Sequence, residues 1–243
     1  GAQSRAALPH TLQLPTTVQG VLSARMDRLP AEEKALLQTL AVIGREFSSS
    51  LLRTVVPERD EELPRLLSRL QAGEFVYEQP AFPEVEYIFK HALTQEVAYE
   101  GLLRRERQAV HERVARAIED TLSDRTGEFV ETLAYHYQRS GHVAEAVDYL
   151  RRAGRKALDR YAITEADDHY RSAYKLLTST DAENGAMDSA TRDRLLLEVI
   201  VDWCHVRYYA AEFNEIRRVQ TLHEDLPARV GDGALTVHWL GWA

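Results

Sequence analysis

The stretch "YIFKHALTQEVAYEGLL", Tyr87–Leu103, changes character halfway along. Tyr87, Ile88 and Phe89 are aromatic or β-branched, the side chains that strands favour. From Ala92 onward the residues suit a helix, and Lys90 and His91 stand at the joint. Ala92, Leu93, Val97, Ala98, Tyr99, Leu102 and Leu103 are spread around most of that helix. This spread predicts burial against more than one neighbour. His91 would stand at the N-terminal end, where unpaired backbone N–H groups and the positive helix pole favour anions. Two readings of His91 follow: a donor that meets a phosphate, or a histidine that caps the helix or closes the core edge.

Upstream, "LPTTVQGVLSARMDRL" carries Val18, Val21, Leu22, Met26 and Leu29 at helical spacing, and Thr16 with Gln19 forms a capping-box start. "LPAEEKALLQTLAVIG" follows, with Pro30 at its first turn, Glu32 and Glu33 at the positive pole, Leu36, Leu37, Leu40 and Ile43 as the buried face, and Gly44 as its stop. A short helix is expected over Ser49 to Val55. "DEELPRLLSRLQAG" gives a further helix, capped by Asp60, lined by Leu63, Leu66, Leu67 and Leu70, and ended at Gly73. "FVYEQ" and "EVEYIF" read as two strands of a hairpin, broken apart by Pro80 and Pro83. Helices followed by a hairpin make the layout of a winged helix. The helix from Asp60 to Ala72 then occupies the recognition-helix position.

After Leu103 the sequence reads as helical throughout. Val110, Val114, Ala117, Ile118 and Leu122 share one face, and so do Val130, Leu133, Ala134 and Tyr137. Glu145-Ala146 and Glu165-Ala166 are each followed by an aromatic residue, Tyr149 and Tyr170. Small residues at crossings with aromatics in the gaps suit stacked helix hairpins. Leu133, Ala134, Tyr137, Ala146, Leu150 and Ala153 fall near the small and large positions of a tetratricopeptide unit, although Val130 and Ala134 depart from the usual Trp and Gly. A generic helical bundle is the alternative. "STDAENGAMDSA" reads as a loop before two more helical segments. The end, "GALTVHWLGWA", is expected to run on into a further hairpin, with Trp239 and Trp242 lacking partners here. Gly1-Ala2 resembles a cloning scar, so the chain reads as a piece of a longer protein.

Of 243 residues, 44% are hydrophobic and 28% charged, with a formal net charge of -8. An acidic balance disfavours a nucleic-acid coat. The lone Cys204 excludes a disulfide framework within the chain and a cysteine zinc site. No run reaches the roughly 20 apolar residues of a membrane helix, and the N-terminus lacks a signal-peptide core. A cytoplasmic protein is the expectation.

Motifs for catalysis are missing. There is no Gly-rich phosphate loop, no dinucleotide fingerprint, no His-Glu-x-x-His and no nucleophile elbow. The nine histidines include no pair at metal-ligand spacing on one helix face. His169, after Asp167 and Asp168, reads as part of a solvated face; His136, between Tyr135 and Tyr137, reads as helix packing. Neither catalytic nor metal-binding residues are assigned. The basic run Arg104, Arg105, Arg107, Arg113 and Arg116 reads as a solvated face or as a docking surface for an acidic partner.

"LPTTVQGVLSARMDRLPAEEKALLQTLAVIGREF" (Leu14–Phe47) and "YIFKHALTQEVAYEGLLRRERQAVHERVARAIE" (Tyr87–Glu119) together resemble the winged-helix region of STAND signal-transduction ATPases. The likeness is to those beside bacterial adenylate or guanylate cyclase domains and in large LuxR-type and MalT-like regulators. "LAYHYQRSGHVAEAVDYLRRAGRKALDRYAITEADDHYRSAYKLL" (Leu133–Leu177) is similar to the helical-repeat sensor that follows in such proteins. The resemblance implies that residues 1–15 are a tail from an upstream ATPase domain, 16–104 a winged helix, 105–126 a connecting helix and 127–243 tetratricopeptide-like repeats. It implies that His91 contacts the β-phosphate of ADP held by the neighbouring ATPase domain. The cofactors, ATP or ADP with magnesium, would then belong to the parent protein and not to this chain.

The expected fold class is therefore mainly α: a winged helix with a small hairpin, then a helical repeat array. The expected role is a non-catalytic regulator. Its partners would be the upstream nucleotide-binding domain and a protein or small molecule held by the repeats, with no membrane. The alternatives are a DNA-binding winged helix and a repeat scaffold without nucleotide control. The DNA reading has only Arg65 and Arg69 to offer, against Asp60, Glu61 and Glu62.

Overall fold

The computed structural model describes residues 16–56, 61–81, 84–121, 123–179 and 187–242. The chain divides into two compact units, Gly1–Arg107 and Gln108–Ala243. It is mainly helical, with one small antiparallel sheet.

In the first unit, α1 (Thr16–Met26) leads into α2 (Ala31–Ile43), which begins behind Pro30. Gly44 ends α2 at φ 151° and ψ −170°, a conformation that glycine adopts readily. Leu36, Leu37 and Leu40 are buried as the spacing predicts, while Ile43, the fourth residue of that face, is half-buried. The strand β1 (Glu46–Ser48) runs directly into α3 (Ser49–Val55), the span expected for that helix. Ser48 Oγ accepts the N–H of Leu51 at the helix start. Glu84 closes the same corner by accepting from Ser49 Oγ and Ser50 N, both at 2.8 Å, and from Ser50 Oγ at 2.6 Å. Slight burial raises the pKa of Glu84, but the serine hydroxyls and the backbone N–H outweigh it and hold the carboxyl below its usual range.

α4 (Leu63–Ala72) buries Leu63, Leu66, Leu67 and Leu70. Its end is a left-handed turn at Glu74, φ 56°, where Phe75 N–H reaches Leu70 O at 3.0 Å. Asp60, the expected cap, lies outside the described residues. β2 (Val76–Gln79) and β3 (Glu86–Phe89) form the expected hairpin, with Val76 opposite Phe89. A third strand adds to it: β1 pairs with β3, Phe47 opposite Tyr87, so the order is β1-β3-β2. Three residues are too few to show an alternating pattern. What fixes β1 is tertiary, since the Phe47 ring stacks on Tyr87 at 6.0 Å and meets Phe89 edge-on at 6.3 Å.

α5 (Ala92–Glu100) packs on α1, α2 and β3, but the described residues of its unit do not enclose it as expected. Only Thr94 and Ala98 of this helix are buried, Ala92 is exposed, and Leu103 beyond it is 70% exposed. The neighbours cover one side, and the Arg107 guanidinium lies 4.4 Å from the centre of the Tyr99 ring. α1 likewise buries Met26 but leaves Val18 and Val21 exposed.

α6 (Arg104–Thr121) buries Val110, Val114, Ala117 and Ile118 on the predicted face; Leu122 lies outside the described residues. The second unit continues with a 3-10 turn (Ser123–Glu128), α7 (Val130–Ser140), α8 (Val143–Asp159), α9 (Ile163–Thr178) and α10 (Ser189–Tyr209). α11 (Phe213–Leu222), α12 (Leu226–Val230) and α13 (Gly233–Leu240) complete it. Consecutive helices α7 to α10 pack side by side. Ala146, Ala153 and Ala157 on α8 and Ala166 and Ala173 on α9 are buried, so small side chains let these backbones approach. Tyr170, Trp203 and Val206 fill the space beside Ala157 and Ala166. The Tyr137 and Tyr149 rings stack at 5.5 Å, and both hydroxyls donate to Glu119 at 2.5 Å, tying α6, α7 and α8 together.

The C-terminal tryptophans do not lack partners. Trp239 is buried and its carbonyl accepts from Gln220 Nε2 at 2.9 Å, while the Trp242 ring meets His205 at 4.9 Å. α13 folds back on α10, a tertiary contact that local spacing does not reveal.

Candidate functional site

His91 is the N-cap of α5, with φ −136° and ψ 135°. Its carbonyl accepts from Thr94 N at 3.0 Å and Gln95 N at 3.4 Å, which starts the helix. Its side chain makes no capping hydrogen bond, and the residue is exposed. Against the second reading, a cap or a core-edge histidine, His91 holds the N-cap position without a side-chain bond and its exposure leaves no core edge closed by it.

The surroundings of His91 add what the sequence concealed. Lys90 reaches Glu74 at 2.9 Å, and its N–H donates to Phe75 O at 3.0 Å. Arg25, from α1, donates to Gly73 O and lies 4.7 Å from the centre of the Phe75 ring. The Lys90 hydrogen bond and charge hold the Glu74 carboxyl below its usual range, with smaller pulls from Arg25 and His91. Glu74 is thus paired with Lys90 and feels the charges of Arg25 and His91. The corner carries an excess of donors and is open to solvent, a setting in which an anionic group gains charge-assisted hydrogen bonds. Arg25 lies 66 positions before His91 in the chain, so no motif spacing could have found it.

The helix at the recognition position is differently placed. Arg65 pairs with Glu32 at 3.5 Å and Glu62 at 4.0 Å, and Arg69 pairs with the buried Glu33 at 2.9 Å. Both arginines that a DNA reader would need are occupied by carboxylates of their own unit.

Two open clefts lie among the described residues of the second unit. One, of about 420 Å³, is lined by residues including Arg155, Asp159, Tyr161, Asp202, His205 and Tyr209. The other, of about 300 Å³, is lined by residues including Tyr208, Phe213, Ile216, Arg217 and Trp242. Behind the first, Arg151 bridges Glu198 and Asp202, the latter at 2.9 Å. Desolvation lowers the Arg151 pKa, but the two carboxylates outweigh it and leave it raised.

Away from the clefts, His111 and His136 form a buried pair with Nδ1 atoms 2.9 Å apart. One nitrogen must donate and the other accept, so the two rings cannot both be charged in this contact. Desolvation, helped by Arg139, pushes His136 down to about 4. The expectation of helix packing for His136 fits this burial; the pairing lay hidden in a separation of 25 residues. His169 is half-buried, and the neighbouring Asp167 accepts from Trp203 Nε1 at 2.7 Å, so that face is not simply solvated. Burial raises the Cys204 thiol to about 12, which leaves it inert. Among the described residues no group of three or more His, Cys, Asp or Glu side chains could hold a metal ion, and no helix is long and apolar enough to cross a membrane.

No protein-family model matches the chain. No solved structure matches it either. The chain is 28% identical over 149 residues to a protein of Rhizobium meliloti (strain 1021) that is described as uncharacterized. That alignment takes in 61% of this chain and 14% of the relative, so the chain is similar to a small part of a much longer protein.

Proposed function

We propose that the chain is a non-catalytic regulatory portion of a multidomain STAND-type signalling ATPase. In this reading the first unit is a winged helix that relays nucleotide state, and the second is a tetratricopeptide-like array that binds a partner. The element order α2, β1, α3, α4, β2, β3 supports this reading, in which the β2–β3 hairpin would serve as the wing. The observation that supports the nucleotide role is His91, exposed at the start of α5 next to Lys90 and making no capping bond. A phosphate presented by a neighbouring ATPase domain would meet these donors at a positive helix pole. Similarity to a short part of a long relative suits a module within a larger chain.

The physical mechanism is a two-state equilibrium. Contacts from His91 to the phosphate of ADP would favour the resting arrangement, and a partner bound to the helical array would favour the other. His91→Ala in the full-length protein should then raise basal output without any activating partner. Unaltered basal output from a protein that folds normally would count against the proposal. Direct DNA binding is the weaker reading, because Arg65 and Arg69 are already paired with Glu32, Glu62 and Glu33.

A further inference from the structure

The two clefts of the second unit share a wall of aromatic rings. His205 lines the first cleft and meets Trp242 of the second at 4.9 Å between ring centres. Tyr209 of the first meets Tyr208 of the second at 5.9 Å, and Tyr208 meets Phe213 at 5.8 Å. Tyr208, Tyr209 and Phe213 are each more than half exposed. Exposed rings gathered in one patch mark interaction sites, and Tyr, Trp and Arg carry most of the energy at such sites.

Tyr161 stands at the rim of the first cleft, 80% exposed, in the left-handed turn between α8 and α9 at φ 58°. The turn needs a left-handed residue, because Ala162 N–H reaches back to Ala157 O at 2.9 Å. Glycine would meet that need without strain. Glu74 and Ala211 hold the same conformation at other helix ends, and of the three it is Tyr161 that lines a cleft with its ring in solvent.

We propose that this ridge and its two clefts bind one polypeptide segment with an aromatic or aliphatic side chain next to a carboxylate, the carboxylate meeting Arg217. The inference rests on the reading of the second unit as a partner-binding array and names the site and the partner's chemistry. Each cleft has a volume within the range of ligand sites, and an extended chain crossing the ridge engages both. The second cleft also presents a guanidinium with capacity to spare. Arg217 carries no ion pair among the described residues, since the neighbouring Glu215 goes to Arg218. In the first cleft Arg155 is paired with Asp202 at 3.4 Å. A carboxylate suits Arg217. Asp159 and the phenol hydroxyls suit the N–H and C=O groups of a peptide backbone.

The test is selection of a displayed random peptide library on the whole chain, with enriched peptides measured by fluorescence anisotropy against three variants. Enrichment of Asp or Glu beside Phe, Tyr, Trp or Leu is expected. Affinity should fall about tenfold or more in Tyr161→Gly and Tyr209→Ser, the loss typical of a buried aromatic anchor. Tyr161→Gly is expected to relieve strain, and its urea midpoint, measured alongside, separates lost binding from lost folding. Arg217→Glu should weaken acidic peptides and improve versions carrying Lys in place of the acidic residue. Peptides that bind all three variants as well as the native chain would overturn the site while leaving partner binding by the array intact. No enrichment, or enrichment of basic peptides, would overturn the proposed chemistry, and neither result bears on His91.

Discussion

The ring of Tyr170 lies against Gly154 so closely that a Cβ on residue 154 would stand 2.6 Å from Cε2 of the tyrosine. This contact sets how near α8 and α9 can approach, and both residues are buried.

Gly154→Ala should therefore destabilise the second unit. Alanine gains up to about 1 kcal/mol in helix propensity, but overpacking a closed core costs about 1–3 kcal/mol. Tyr170 is walled in by Ala157, Ala166, Trp203 and Val206 and cannot swing aside. A lower urea midpoint is expected. A higher one would mean that the helices separate freely here.

Tyr161→Gly should do the opposite. Left-handed backbone costs a residue with a Cβ about 1–2 kcal/mol, and the flexibility of glycine in the unfolded chain returns roughly 0.5–1 kcal/mol of that. A net gain of about 0.5–1 kcal/mol is expected in urea or thermal unfolding. A loss would show that the exposed ring supports the fold.

The buried His111–His136 pair makes the second unit acid-sensitive. The folded pKa of His136 is about 4, below its ordinary 6.5. The unfolded chain thus binds the proton first, and stability falls as pH drops from 6.5 towards 4. A shift of this size corresponds to about 3 kcal/mol. His136→Gln should flatten this part of the stability-versus-pH curve. A native curve already flat between those pH values would place the ring in a wetter setting.

Glu119→Ala should leave the hydroxyls of Tyr137 and Tyr149 without their shared acceptor, at a cost of about 2 kcal/mol. Desolvation and the Glu119 carboxylate raise Tyr149 to about 12. Tyrosinate absorbance should consequently appear at lower pH in the variant than in the native chain. Coincident ultraviolet titrations would contradict the shared bond.

These relationships mark where sequence reading succeeds and where it stops. Leu36, Leu37 and Leu40 of α2 and the four buried leucines of α4 were legible because one helix face repeats locally. α3 was legible to its ends, since Ser48 supplies a local cap. β1 was not, because three residues carry no period and its partner Tyr87 lies 40 positions away. Val18 and Val21 show the converse: a clear stripe that the described residues leave exposed. At the candidate site the position of His91 at the start of α5 was legible from the change of period. Arg25, the two clefts and the aromatic ridge were not, because each is assembled from segments far apart in the chain. Trp239 was misread for the same reason, since α13 packs back onto α10.

The most direct measurement is the dissociation rate of ADP from the full-length protein, comparing the native sequence with His91→Ala. A hydrogen bond to a charged phosphate contributes about 1.5–3 kcal/mol, so release should be about tenfold to a hundredfold faster in the variant. An unchanged rate in a normally folded protein would contradict the role of His91.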